Sequence, residues 1–165
     1  MKVPLTRGLF AIIDDEDWPL VSKYKWWAHA TATGIVAQRH LRTERVGAIT
    51  RRTSQNMEVL LMGRRSGFTI DHVNRNPLDN RRENLRWATR SQNMANRGMP
   101  NKSGFRGIRP KNRSSWQARI RFQGHNVYLG TFKTKQEAAE AFRAAARAVF
   151  GDFACFDVKP RKKRS

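Results

Sequence analysis

The 165-residue chain has one cysteine, Cys155. A single thiol excludes an internal disulfide and any zinc site built from clustered cysteines, and it points to a reducing, intracellular compartment. Acidic residues are also scarce: 13 Asp and Glu stand against 33 Lys and Arg, a formal charge of +20. An excess that large calls for a polyanionic partner, and nucleic acid fits it best. Long apolar runs are missing, and no basic amphipathic helix takes their place, so a membrane is not expected as partner. The opening MKVPLTRGLFAIIDDEDW meets an acidic cluster where a signal peptide would need its apolar core, so no secretion signal is expected. Apolar content of 39% is low for one large core. Small modules are the better expectation.

What the chain does have is a dense polar stretch from Phe68 to Arg97, FTIDHVNRNPLDNRRENLRWATRSQNMANR. A short apolar run ends in the adjacent pair Asp71-His72, and Asn74, Asn76, Pro77, Asp79 and Asn80 then mark a turn-rich loop. Leu85-Arg86-Trp87 reads as a second strand. Thr89-Arg90-Ser91-Gln92 has capping-box spacing, which predicts a helix from there to Gly98. The order is strand, loop, strand, helix, with a carboxylate and an imidazole side by side and the Asn93 amide in the helix's first turn. Consecutive strand residues face opposite ways, so a bend or bulge is expected if Asp71 and His72 serve one site. A surface hairpin that merely makes turns would explain an Asp-His pair alone. Asn84 and Asn93 in register with it favour a site.

The ordered residues Asp71-His72, DNRRENLR (79–86), Thr89 and Asn93 resemble the HNH nucleases in the form carried by phage and intron homing endonucleases. The resemblance implies two strands and a helix clasped around one divalent cation, Mg2+ or Mn2+. Asp71 and Asn93 would then be the metal ligands, His72 the general base, and Asn84 the residue that holds the loop and orients the histidine. It implies double-stranded DNA as substrate, one strand nicked per binding event by a monomer, and a cytoplasmic protein of a bacterial host or its phage. The chemistry is consistent with this, since magnesium takes hard oxygen donors and imidazole titrates near neutrality. The chain departs from the family in the segment Met57–Gly63, where Glu58 stands at the position of a customary histidine.

Residues 1–62 are expected to form a small α+β region. GLFAIID (8–14) and GIVAQRHL (34–41) have strand character, and carboxylates 14–17 suit the start of a helix over Glu16–Tyr24 better than a metal cluster. Trp18, Trp26 and Trp27 are expected in the core. The HNH motif proper takes residues 63–98, and 99–104 read as a linker of Gly, Pro, Asn and Ser.

From 105 to 157 the pattern changes. Trp116, Ala118, Ile120 and Phe122 alternate with polar residues, Gly124-His125 marks a turn, and Thr134-Lys135-Gln136-Glu137 is a second capping box. It opens an Ala-rich helix with an expected stripe of Ala138, Ala141, Phe142, Ala145 and Val149, stopped by Gly151. Between Phe105 and Lys133 there are seven Lys or Arg and no acid. FRGIR (105–109), WQARIRF (116–122), VYLGTF (127–132) and EAAEAFRAAA (137–146) resemble the Apetala-type DNA-binding domain of plant ethylene-response factors. That resemblance implies a three-stranded antiparallel sheet packed on one helix and laid in the major groove, with Arg106, Arg109, Arg119, Arg121, Asn126 and Tyr128 facing DNA. Residues 158–165 are a basic tail suited to nonspecific phosphate contacts.

The fold class expected for the whole is α+β. The function expected is a site-specific, metal-dependent DNA endonuclease of the homing type. The alternative is a DNA-binding regulator whose HNH module is inactive. An RNA-binding role lacks the paired exposed aromatics that stack single-stranded bases.

Overall fold

Val3 and Leu5 lie before Gly8 and Ala11 and Ile13 after it, so folding the chain back at Gly8 gathers four apolar side chains. In a computed structural model, which describes residues 1–32, 34–46, 49–97 and 105–156, this is what happens. Strand β1 (Lys2–Pro4) pairs antiparallel with β2 (Phe10–Ile12). Arg7 and Gly8 both take positive φ in the turn between them. The expected linker 99–104, the tail 158–165 and the helix stop at Gly98 lie outside the described residues.

The chain divides into two units, Met1–Thr89 and Arg90–Ser165. In the first, the expected helix over Glu16–Tyr24 is shorter: a 3-10 turn at Asp15–Asp17 leads into α1 (Trp18–Val21). Pro19 is tolerated in its first turn, and the Trp26 indole N–H ends the helix by donating to the Val21 carbonyl at 3.0 Å. Only Trp26 of the three tryptophans is buried. Trp27 stacks on His40 with ring centroids 4.0 Å apart, and Trp18 is exposed.

Strands β3 (Trp27–Thr31), β4 (Gly34–Val46) and β5 (Ile49–Asn56) form an antiparallel meander, followed by α2 (Met57–Met62). A hairpin of β6 (Thr69–His72) and β7 (Leu85–Ala88) completes the unit. One apolar cluster joins Val3, Ile13, Val21, Trp26, Met57 and Leu61 to Leu85, with Ile70 and Leu78 packed against it. The hairpin that carries Asp71 and His72 therefore shares its core with the N-terminal strands.

In the second unit, α3 (Arg90–Asn96) is followed by the sheet β8 (Ile108–Asn112), β9 (Ser115–Phe122) and β10 (His125–Phe132), in the order β10-β9-β8, and then by α4 (Lys135–Phe150). The β9–β10 hairpin turns at Gln123-Gly124, both with positive φ, rather than at Gly124-His125. Thr134 caps α4 in a full capping box with Glu137, and the helix stops at Gly151, as expected. Its buried stripe is Ala138, Ala139, Phe142, Ala146 and Phe150. It is rotated by one residue from the expected stripe, leaving Ala141, Ala145 and Val149 half-buried at its edge. Ala95 of α3 enters the same cluster as Ile120, Phe142, Ala146 and Phe150.

Gly107 shows how closely this core is built. Its φ is +70°, and a Cβ there would lie 2.3 Å from the Phe142 ring and 2.5 Å from the Arg119 carbonyl oxygen. Gly107→Ala is expected to cost about 2–4 kcal/mol through backbone strain and displacement of Phe142. Denaturant unfolding followed by fluorescence checks this, and a loss below the upper range of a surface substitution, about 0.5 kcal/mol, would refute the tight fit.

Candidate active site

The loop between β6 and β7 has little regular structure, so each of its buried polar groups must find a partner elsewhere. The backbone of β2 supplies part of them. Ile12 donates to the Leu78 carbonyl and accepts from the Asn80 amide, both at 2.7 Å, forming a parallel bridge beside Asp79. Asp14 accepts from the Arg82 amide at 2.7 Å, and Asp17 takes the Arg82 guanidinium, closest at 2.7 Å. The acidic cluster thus holds an arginine of the loop. Among the described residues no group of three His, Cys, Asp or Glu is placed to hold a metal.

Side chains finish the loop. Asp79 is buried and accepts two bonds from Arg81, at 2.9 and 2.8 Å, and one from Asn74 at 2.8 Å. The Arg81 hydrogen bonds hold its carboxyl below the ordinary value of 3.8, outweighing burial, and Asn74 lowers it further. Asn84 accepts from the Asn74 amide at 2.9 Å and donates to the Asp79 carbonyl at 2.7 Å. Its side chain spans the loop.

Of the expected bend or bulge, no bulge is present: the β6–β7 register is unbroken from Thr69 opposite Ala88 to His72 opposite Leu85. The strand ends at His72 instead, in a turn closed by the Arg75 amide on the His72 carbonyl at 2.9 Å. The imidazole Nε2 of His72 lies 3.4 Å from Oδ1 of Asn80, which is fully buried. With the proton on Nε2 the ring donates to this oxygen and keeps its lone pair on Nδ1; with the Asn80 amide turned over, its nitrogen donates to Nε2 instead. Asp71 is buried, and its Oδ2 accepts from Nε of Arg86, its cross-strand neighbour, at 2.9 Å. Asn93 stands on α3, in the second unit.

Asn80 and Arg86 are the residues that reading for metal ligands and a base misses. Both lie inside DNRRENLR, so the signal was present without a role attached. Glu58 is buried on α2 and accepts from the Asn56 side chain at 2.8 Å. As a cation set, a carboxylate and an amide oxygen suit magnesium, which keeps several waters and rarely takes an all-protein cage.

On the second unit, register and burial separate the two faces of the sheet. Ile108, Ala118 and Ile120 turn inward, while Arg109, Arg119, Arg121, Asn126 and Tyr128 share the outer face. Tyr128 lies opposite Arg119, whose guanidinium carbon is 5.9 Å from the Tyr128 ring centre. Arg106 stands apart from them. Its guanidinium donates to the carbonyls of Met94, Ala95 and Arg97, where a cation meets the negative end of α3. Burial pushes its pKa down from the ordinary arginine value. Arg106 ties α3 to its own unit, while the resemblance expects it on the DNA-facing surface.

Comparison with known proteins adds the chemistry. Residues 65–95 match the sequence model of the family described as HNH endonuclease. The chain carries an HNH endonuclease domain. That domain makes the protein an enzyme, a DNA endonuclease. The chain is also 28% identical over 149 residues, 90% of its length, to an uncharacterized HNH endonuclease of Acanthamoeba polyphaga mimivirus, of which the match covers 74%. A 65-residue stretch, 37% of the chain, is 43% identical to dehydration-responsive element-binding protein 2A of Arabidopsis thaliana. A 62-residue stretch, 35% of the chain, is 42% identical to the protein of that name in Oryza sativa subsp. indica. These matches cover 19% and 23% of the plant proteins, so the chain spans less than a quarter of their length.

The lowered carboxyl of Asp79 fixes a pH dependence for the HNH loop. Its folded-state pKa lies below the unfolded value, so its stabilisation is complete above the ordinary 3.8 and is lost as pH falls through the folded value. Thermal melts of the wild type should therefore drop from about pH 4 downward, and Asp79→Asn should have a lower but flatter profile there. Parallel profiles in the two proteins would contradict the assignment.

Proposed function

We propose that the protein is a site-specific endonuclease of the homing type that nicks one strand of duplex DNA as a monomer. The observation that supports this reading is the buried Asn80 side chain against the His72 ring, because a proton held on Nε2 would make Nδ1 the basic position. His72 takes the proton of the water that attacks the scissile phosphorus. The new P–O bond forms as the P–O3′ bond breaks, and the 3′ oxygen takes a proton from solvent. Asn84 holds the loop, and through it Asn80 and the histidine. A bound Mg2+ or Mn2+, held by Asp71 and Asn93, would stabilise the charge that develops on the phosphate and the leaving oxygen.

The outer sheet face of the second unit would find the site. Arg109, Arg119, Arg121, Asn126 and Tyr128 offer paired donors in an arrangement suited to base edges in a major groove, where arginine is the best reader of guanine. The plant relatives' name, element-binding protein, supports this role. The likeness does not carry over a target sequence.

One observation favours the inactive-regulator reading. The Asp71 carboxylate is engaged by Arg86, and a carboxylate committed to a guanidinium is a weaker metal ligand. Cleavage decides between the two. His72→Ala should lower the nicking rate on supercoiled plasmid by about 10²–10⁴ while leaving DNA affinity nearly unchanged. Asn93→Ala should be partly rescued by excess Mg2+ or Mn2+, and Asp71→Ala much less, because a neutral ligand is the smaller loss. Equal rates in wild type and His72→Ala would remove the catalytic assignment.

A further inference from the structure

We propose that the β4–β5 ribbon is a second DNA-contacting arm, entering the major groove from the HNH-bearing unit. The inference rests on the nuclease reading for duplex DNA as partner, and the ribbon's own geometry supplies the rest. β3 pairs with β4 only between Gly34 and Gln38. Among the described residues, β4 from Arg39 to Val46 pairs with β5 and with no third strand, which leaves a two-stranded ribbon of about 25 Å at roughly 3.3 Å per residue. Among the described residues, nothing in the apolar cluster of this unit comes from that part of the ribbon.

Its base is anchored by side chains of the rest of the unit. The Arg39 guanidinium sits 3.6 Å from the Tyr24 ring centre and donates twice to Gln55, and His40 stacks on Trp27. Beyond them a bulge at Leu41 shifts the register and leaves Leu41 exposed. Arg42, Arg45 and Arg52 follow, all exposed. The register puts Arg45 and Arg52 on one face, with Thr43, and Arg42 on the other, with Thr53. Between residues 39 and 52 the sequence holds five arginines and one acid, Glu44.

Cations on both faces decide between two modes of binding. A ribbon lying flat on a polyanion needs charge on one face only. A ribbon inside a groove has a phosphate backbone on either side, and the major groove, about 12 Å wide, admits a two-stranded ribbon. Backbone contacts of this kind position the protein and carry no sequence information. The arm therefore adds affinity and orientation and leaves base reading to the other unit.

The test uses the full chain with Arg42, Arg45 and Arg52 all changed to Ala, and separately all to Lys. The first variant should bind duplex DNA about 10- to 100-fold more weakly. Its slope of log affinity against log salt should shrink by about 0.9 for each phosphate that the arm no longer neutralises. Its footprint should shorten at one end by roughly seven base pairs, the arm's length at 3.4 Å per pair. The lysine variant should keep most of the affinity, which separates the effect of charge from an effect on folding. Unchanged affinity and salt slope in the alanine variant would overturn the proposal, as would an equal loss on single-stranded DNA or RNA, or a wild type that does not bind duplex. A wild type that binds through the arm but does not nick would leave the proposal standing and remove the nuclease reading.

Discussion

The HNH module depends on one constraint: a polar loop must be held rigid without regular structure of its own. A loop satisfied by water alone would leave the imidazole at its base free to turn. Here the loop borrows a strand. Ile12 bonds on both sides of Asp79, and the acidic residues before α1 fasten Arg82 a few residues further on. Asn80 is buried as a consequence, and its side-chain oxygen meets His72. The Asp17–Arg82 pair adds geometry more than energy, since the arginine is half exposed and its charge is screened. The N-terminal strands thus reach His72 through the loop.

A second constraint governs Asn93. In sequence it belongs to the HNH motif, yet its helix is packed by the second unit, through Ala95 in the apolar cluster and Arg106 on the helix's last carbonyls. Cys155 donates its amide to Ala95 as well. A fragment of the second unit that begins after the linker would lose this packing, since the compact unit starts at Arg90. The helix that carries one expected metal ligand is built by the part of the chain that would read DNA.

How much of this was legible depends on how local the cause was. The capping box at Thr134, the alternation of β9 and the hairpin around Asp71-His72 come from neighbouring residues, and each appeared where the sequence put it. β5 was not visible, because ITRRTSQN is polar on both faces and its partner is another charged strand. The grip of β2 on the loop is made by backbone groups, which leave no residue signature, and the Asp17–Arg82 contact spans 65 positions. The hold of Arg106 on the end of α3 was not legible either, because an arginine before a strand looks the same whether it meets phosphate or the end of a helix. Asn80 was in plain view within the motif, and only geometry gave it a partner.

The central claim, that the loop sets the state of the histidine, is tested most directly at the imidazole nitrogens. Their NMR shifts, read at alkaline pH where the ring is neutral, report which nitrogen carries the proton. The wild type is predicted to show His72 with the proton on Nε2, and Asn80→Ala to show a mixture of tautomers with the β6–β7 pairing intact. A proton on Nδ1 in the wild type, or a tautomer indifferent to Asn80→Ala, would contradict the account.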